Sequence, residues 1–237
     1  MKKFELTSEF VTFLGKKLFR IKALISFRNV EEGELGGYVE KEENLSNDGN
    51  AWVSGDAMVS GNARVCGNAR VYGNAEVYGN AEVYGDAEVC GNAWVYGNAE
   101  VYGDARVCGD ARVCGDARVC GDAEVCGNAR VCGDARVCGD AEVCGNARVY
   151  GNAEVYGNAR VYGDADYATV HGFGSEYRTT TFFRTKAGEI GVRCGCFYGT
   201  LEEFRAKIKE THGETKTAKE YLMVADLMEF RFSKEEA

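Results

Sequence analysis

The chain has 237 residues, 45% of them hydrophobic, with 28 Lys plus Arg against 37 Asp plus Glu and a formal net charge of −9. That apolar content excludes simple disorder, and the acidic balance argues against nonspecific binding to nucleic acid or to an anionic membrane. No apolar run reaches the roughly 18 residues of a membrane-spanning helix, and Glu5 and Glu9 interrupt what would be a signal core, so a cytoplasmic protein is the expectation.

Residues 1–48 predict an N-terminal β cap. Residues 10–14, a Gly15-Lys16-Lys17 turn and residues 18–27 have the pattern of a hairpin, and residues 33–39 lead onward from it. From 49 to 168 one six-residue unit is repeated twenty times: Gly, Asn or Asp, Ala, a variable residue, Val, then Tyr, Cys or Ser. A fixed period of this kind means one unit stacked on itself. Ala and Val lie two apart, so on a strand they face the same way, while the variable residue and the Tyr or Cys face the other. Gly with Asn or Asp supplies residue types that tolerate a left-handed corner. A Gly in every unit excludes helix.

Three units would close a triangular coil of 18 residues, two a flattened coil of 12. Variable slots 18 apart hold eight opposite-sign and five like-sign pairs; slots 12 apart hold six and eight. Facing like charges destabilise a sheet, so three-sided coils are favoured. Arg70–Glu88, Glu88–Arg106 and Arg136–Glu154 are among the pairs predicted to stack. The Val-Tyr/Cys-Gly-Asn/Asp-Ala unit resembles the hexapeptide-repeat superfamily. That resemblance covers about half the chain and implies a left-handed parallel β-helix, here of about 6–7 coils and about 32 Å in length.

Residues 169–237 predict a small α+β domain. Residues 179–185 and 189–198 read as two strands around Lys186-Ala187-Gly188. Thr200 with Glu203 forms a capping box that opens a helix to about His212. A second helix runs from about 217 to 229, with Tyr221, Leu222, Ala225 and Met228 on one face. A tail of this kind behind a degenerate repeat resembles proteins common in phages and prophages.

Nine of the 11 Cys fill the last slot of a repeat, seven of them in succession from Cys108 to Cys144. One slot with interchangeable occupants reads as reduced thiols rather than a disulfide framework. On three-sided coils they would form a belt, with Cys108, Cys126 and Cys144 on one face. Ile190, Val192, Cys194, Cys196 and Tyr198 alternate along one predicted strand, where Cys serves as a small hydrophobe. One corner would stack Asp86, Asp104, Asp122 and Asp140, a solvated acidic edge or a candidate cation edge. The columns Tyr78–Tyr96 and Tyr84–Tyr102 are either a contact surface or cross-strand stacking.

The superfamily resemblance implies an acyltransferase alternative: an acyl-CoA-dependent trimer with a His as general base. Only His171 and His212 are present. His212 reads as a residue at a helix C-terminus, which leaves His171, just past the last coil, as the one catalytic candidate. No loop interrupts the repeats to build a pocket. The leading expectation is therefore a non-catalytic β-solenoid scaffold or protein-binding rod, with no cofactor and no resident metal, an unidentified protein partner, and homo-oligomerisation left open. A nucleic-acid-mimicking acidic rod fits less well, because nine Arg are interleaved in the outward slots.

Overall fold

A computed structural model describes residues 2–233. Strands β1 (Phe4–Phe13) and β2 (Lys16–Ala23) form an antiparallel hairpin, and β3 (Leu35–Val39) pairs with β2 on one side and with Met58–Val59 in parallel on the other. From there the chain winds into about seven three-sided coils. Strands 18 residues apart pair in parallel and in register on each side, as in Arg70↔Glu88↔Arg106. The hairpin face is a nine-stranded sheet that includes β1 to β3. A second face has six strands and a third has seven.

The inward slots carry the core. Every repeat Ala from Ala51 to Ala159 and every repeat Val from Val53 to Val161 is fully buried. Backbone bonds run from coil to coil, for example Glu82 N–H to the Ala99 carbonyl (2.9 Å) and Tyr84 N–H to that of Val101 (3.0 Å). Gly is needed at the corners for two reasons. At Gly103, φ is +74°, and a Cβ there would sit 3.0 Å from the Gly121 backbone nitrogen of the next coil.

Winding begins earlier than the repeat does. Tyr38–Val39 lies under Met58–Val59, and Leu45 bridges Val65, so residues before Gly49 already occupy two sides of a first coil. The open edge is closed by polar side chains. Asn44, fully buried, donates from Nδ2 to the carbonyls of Ala63 (2.8 Å) and Gly61 (3.1 Å). Lys3, 2% exposed, donates from Nζ to the carbonyls of Ala51 (2.8 Å) and Gly49 (3.3 Å). These groups satisfy carbonyls that no further coil can reach.

Burial pushes the Lys3 ammonium from 10.5 down to about 8, with Asp48 opposing. Between these two values the unfolded chain holds a proton that the folded chain has lost. Stability attributable to Lys3 therefore rises with pH across that window. Urea titrations at about pH 7.5 and pH 10 should show the parent gaining on Lys3→Met at the higher pH. An unchanged difference between the two would refute this titration.

At the far end a four-stranded antiparallel sheet covers the last coil: Tyr167–Val170, Thr180–Arg184, Ile190–Cys194 and Phe197–Thr200. Thr181 Oγ1 accepts from the Glu154 N–H (2.9 Å), Lys186 N–H donates to the Asn158 carbonyl (2.9 Å), and Phe183 seals the Val core. Helices α1 (Leu201–His212) and α2 (Lys216–Phe232) pack behind this sheet, and the Thr200–Glu203 capping box forms as the sequence predicts. The single strand expected over 189–198 is instead two. Gly195 takes φ 57° in a turn that pairs Cys194 with Phe197, so Cys196 is exposed rather than on a half-buried face. Among the described residues no helix is long and apolar enough to cross a membrane.

The thiol belt departs furthest from expectation. Cys114–Cys132, Cys120–Cys138 and Cys126–Cys144 are disulfides, one on each face, with Cα atoms 4.6–4.7 Å apart. Stacking itself selects the pairs, because in-register parallel strands bring residues 18 apart within bridging distance. All three bonds cross the same junction between two consecutive coils, as a covalent collar. The pairing removes the argument that placed these thiols in a reducing compartment.

Candidate interaction face

The variable slots form one outward column per face, and their charges are distributed unequally. On the second and third faces Arg and Glu alternate well enough to pair from coil to coil: Arg64–Glu82, Arg106–Glu88, Arg118–Glu100 (3.3 Å), Arg136–Glu154 (3.7 Å) and Arg160–Glu142 (3.5 Å), with Arg70 on Glu88 the closest. Thus six of the nine rod arginines have a carboxylate one coil away. The other three are Arg112, Arg130 and Arg148, stacked directly on one another on the hairpin face. Among the described residues none of their guanidinium groups has a carboxylate oxygen within 4.0 Å, although the Arg148 backbone N–H donates to Asp164 Oδ1 (3.0 Å).

The reason lies in their column, which runs Met58, Glu76, Trp94, Arg112, Arg130, Arg148. Asp166, the residue 18 beyond Arg148, would complete it, but Tyr167 ends the repeat there. Asp166 instead accepts from the backbone N–H groups of Tyr162 and Gly163 and faces Arg184 at 3.5 Å. Arg112 lies over the Trp94 ring at 4.5 Å. Beyond Arg148 the face opens into a shallow cleft of about 630 Å³ between the rod and α2, lined by Tyr150, Leu227 and Arg231 among others. The sequence carries a trace of this strip as two like-sign pairs. Arg231 and the cleft needed the fold.

Other predicted site residues have simpler surroundings. Tyr78 stacks on Tyr96 and Tyr84 on Tyr102, each pair with centroids 5.0 Å apart and rings nearly parallel. All four are half-buried. Phe13 of the hairpin meets Tyr78 edge-on at 6.0 Å. Tyr84 donates to Glu100 (3.2 Å), and burial, with that carboxylate, pushes its hydroxyl up to about 12. This geometry favours cross-strand stacking over an open contact patch. Asp86, Asp104, Asp122 and Asp140 are exposed along the corner between the second and third faces. Asn68 donates to Asp86 (3.1 Å), and among the described residues no three acidic, His or Cys side chains converge as a metal site. His171 is exposed, with Nδ1 3.1 Å from Thr179 Oγ1. His212 stacks on Tyr221 at 5.7 Å, far along the chain from His171.

Comparison with known families supports the same architecture. Residues 51–67, 63–79 and 105–121 match the YdcK beta-solenoid repeat. The chain is a β-solenoid repeat protein. A search of curated proteins found no match to it. In the solenoid the matched segments include Trp52, Tyr78 and Arg112, so the third segment contains the beginning of the arginine strip.

Proposed function

We propose that this solenoid is a non-catalytic scaffold or binding rod whose hairpin face engages an acidic segment of a protein partner. The observation that carries this reading is the Arg112–Arg130–Arg148 stack. Like charges in register cost stability. On the other two faces Glu82↔Glu100, Arg118↔Arg136 and Glu124↔Glu142 also stack, but every arginine there has a carboxylate one coil away to offset that cost. An acidic partner would neutralise the strip, and Trp94 and Tyr150 at its two ends offer apolar contact of the kind enriched at interfaces. The twenty uninterrupted repeats support a rigid spacer role, with 1–48 and 169–237 closing its ends.

Trp94 supplies the readout, since the other Trp, Trp52, is buried. Titration of the full chain with an Asp/Glu-rich peptide should change Trp94 fluorescence, with affinity falling as salt rises. Changing Arg112, Arg130 and Arg148 together to Glu should weaken binding about tenfold or more, from a few tenths to about 1 kcal/mol per exposed pair. Arg118→Glu on the second face should leave it unchanged. Equal losses from both variants, or no binding by the parent, would end the proposal. A single-stranded oligonucleotide that binds where the peptide does not would replace the protein partner with a nucleic acid.

A further inference from the structure

The third face holds a longer cysteine column than the collar uses. Cys90, Cys108, Cys126 and Cys144 occupy the same slot on four successive coils, following the in-register pairs Val89↔Val107, Val107↔Val125 and Val125↔Val143. The upper two are joined; Cys90 and Cys108 are free and half-buried. The rungs that are closed owe their Cα separations of 4.6–4.7 Å to the stacking of the strands. The parallel register that sets this pitch also holds Cys90 and Cys108. Elsewhere in the rod, Cys66 is the remaining free thiol, and its in-register neighbour is Tyr84.

We propose that Cys90 and Cys108 are a dithiol site that reacts with small-molecule disulfides and closes a fourth rung on the solenoid. One cysteine loses its proton to solvent, and its thiolate attacks a sulfur of the small disulfide. That S–S bond breaks, one small thiolate leaves and takes up a proton, and a mixed disulfide remains on the protein. The second cysteine, deprotonated in turn, attacks the protein-bound sulfur and expels the second small thiol. Two protein thiols are oxidised and one small disulfide is reduced to two thiols.

The surroundings restrain the reaction without blocking it. Burial, then Cys90 and Glu124, push the Cys108 thiol above the ordinary cysteine range, and Arg106 opposes them. The Cys108 sulfur faces a Glu124 oxygen at 3.9 Å. A thiol held protonated resists indiscriminate alkylation. Its in-register neighbour then gives an intramolecular second step an advantage over a second external one.

The chain permits a direct test, because cleavage after Arg106 separates the two cysteines into peptides 71–106 and 107–112. The full-length folded protein is incubated with oxidised glutathione, free thiols are trapped with iodoacetamide, and tryptic peptides are analysed by mass spectrometry. The expected product joins peptide 71–106 to 107–112. Cys90→Ser should instead leave glutathione on Cys108, and Cys66→Ser should not alter the linkage. Ser already fills this slot at Ser54 and Ser60, so the variants keep the coil geometry. Alkylation of both thiols after incubation would overturn the proposal, and so would a Cys108–Cys126 linkage.

Discussion

Reduction of the three collar disulfides should lower the thermal midpoint of the solenoid and speed its unfolding. Each bond closes a segment of sequence separation 18, and the chain-entropy treatment gives about 3 kcal/mol for one such loop. The three loops overlap, so the total falls short of three times that figure. Their shared position matters as much as their sum. Neighbouring coils present the same Val and Ala to one another, so a slip by one coil preserves the core. The collar forbids such a slip across the junction it spans. Melts followed by circular dichroism, with and without reductant, would measure the effect. A variant with Cys114, Cys120 and Cys126 all changed to Ser should match the reduced parent and ignore reductant. A parent whose melting is unmoved by reductant would show that the collar contributes nothing.

Placing a charge inside the prism should be more damaging still. Val119 is fully buried in the same coil as the lower half of the collar. Val119→Ala removes two methyl groups that the stacked coils cannot fully collapse around, at about 2 kcal/mol. Val119→Asp adds an ionised carboxylate with no partner, on the order of 4 kcal/mol or more. Each coil is template for the next, so the damage should spread to both neighbours. Urea unfolding should show a moderately reduced midpoint for the Ala variant and loss of the cooperative transition for the Asp variant. Similar midpoints for the two would mean that the interior tolerates water, against the packing described above.

The prism was legible because its rules are local. A two-residue spacing fixes which way Ala and Val point, and a Gly in every unit marks each corner. The pairing of Arg70 with Glu88 and of Arg136 with Glu154 follows from the coil length alone. The first coil was not legible, because Tyr38, Val39 and Leu45 fill its slots without the repeat's signature. Gly195 could sit in a strand or a turn, and only pairing with Phe197 decides between them. The disulfides were missed for a different reason: identical slots hide the fact that stacking assigns each cysteine its neighbours. The arginine strip lay in the sequence as an imbalance among pairs, with Trp94 one coil length before Arg112, but Arg231 and the cleft with α2 come from folding.

The constant spacing of 18 residues between stacked partners has a kinetic consequence. In most β-proteins strands meet across long stretches of chain, which makes their folding slow. Here each rung closes a loop of 18 residues in a chain of 237, a relative contact order of roughly 0.08, within the range of helical bundles. A rod made of sheet thus has the topological locality of a helical protein: once one coil exists, each later one needs only the loop beside it.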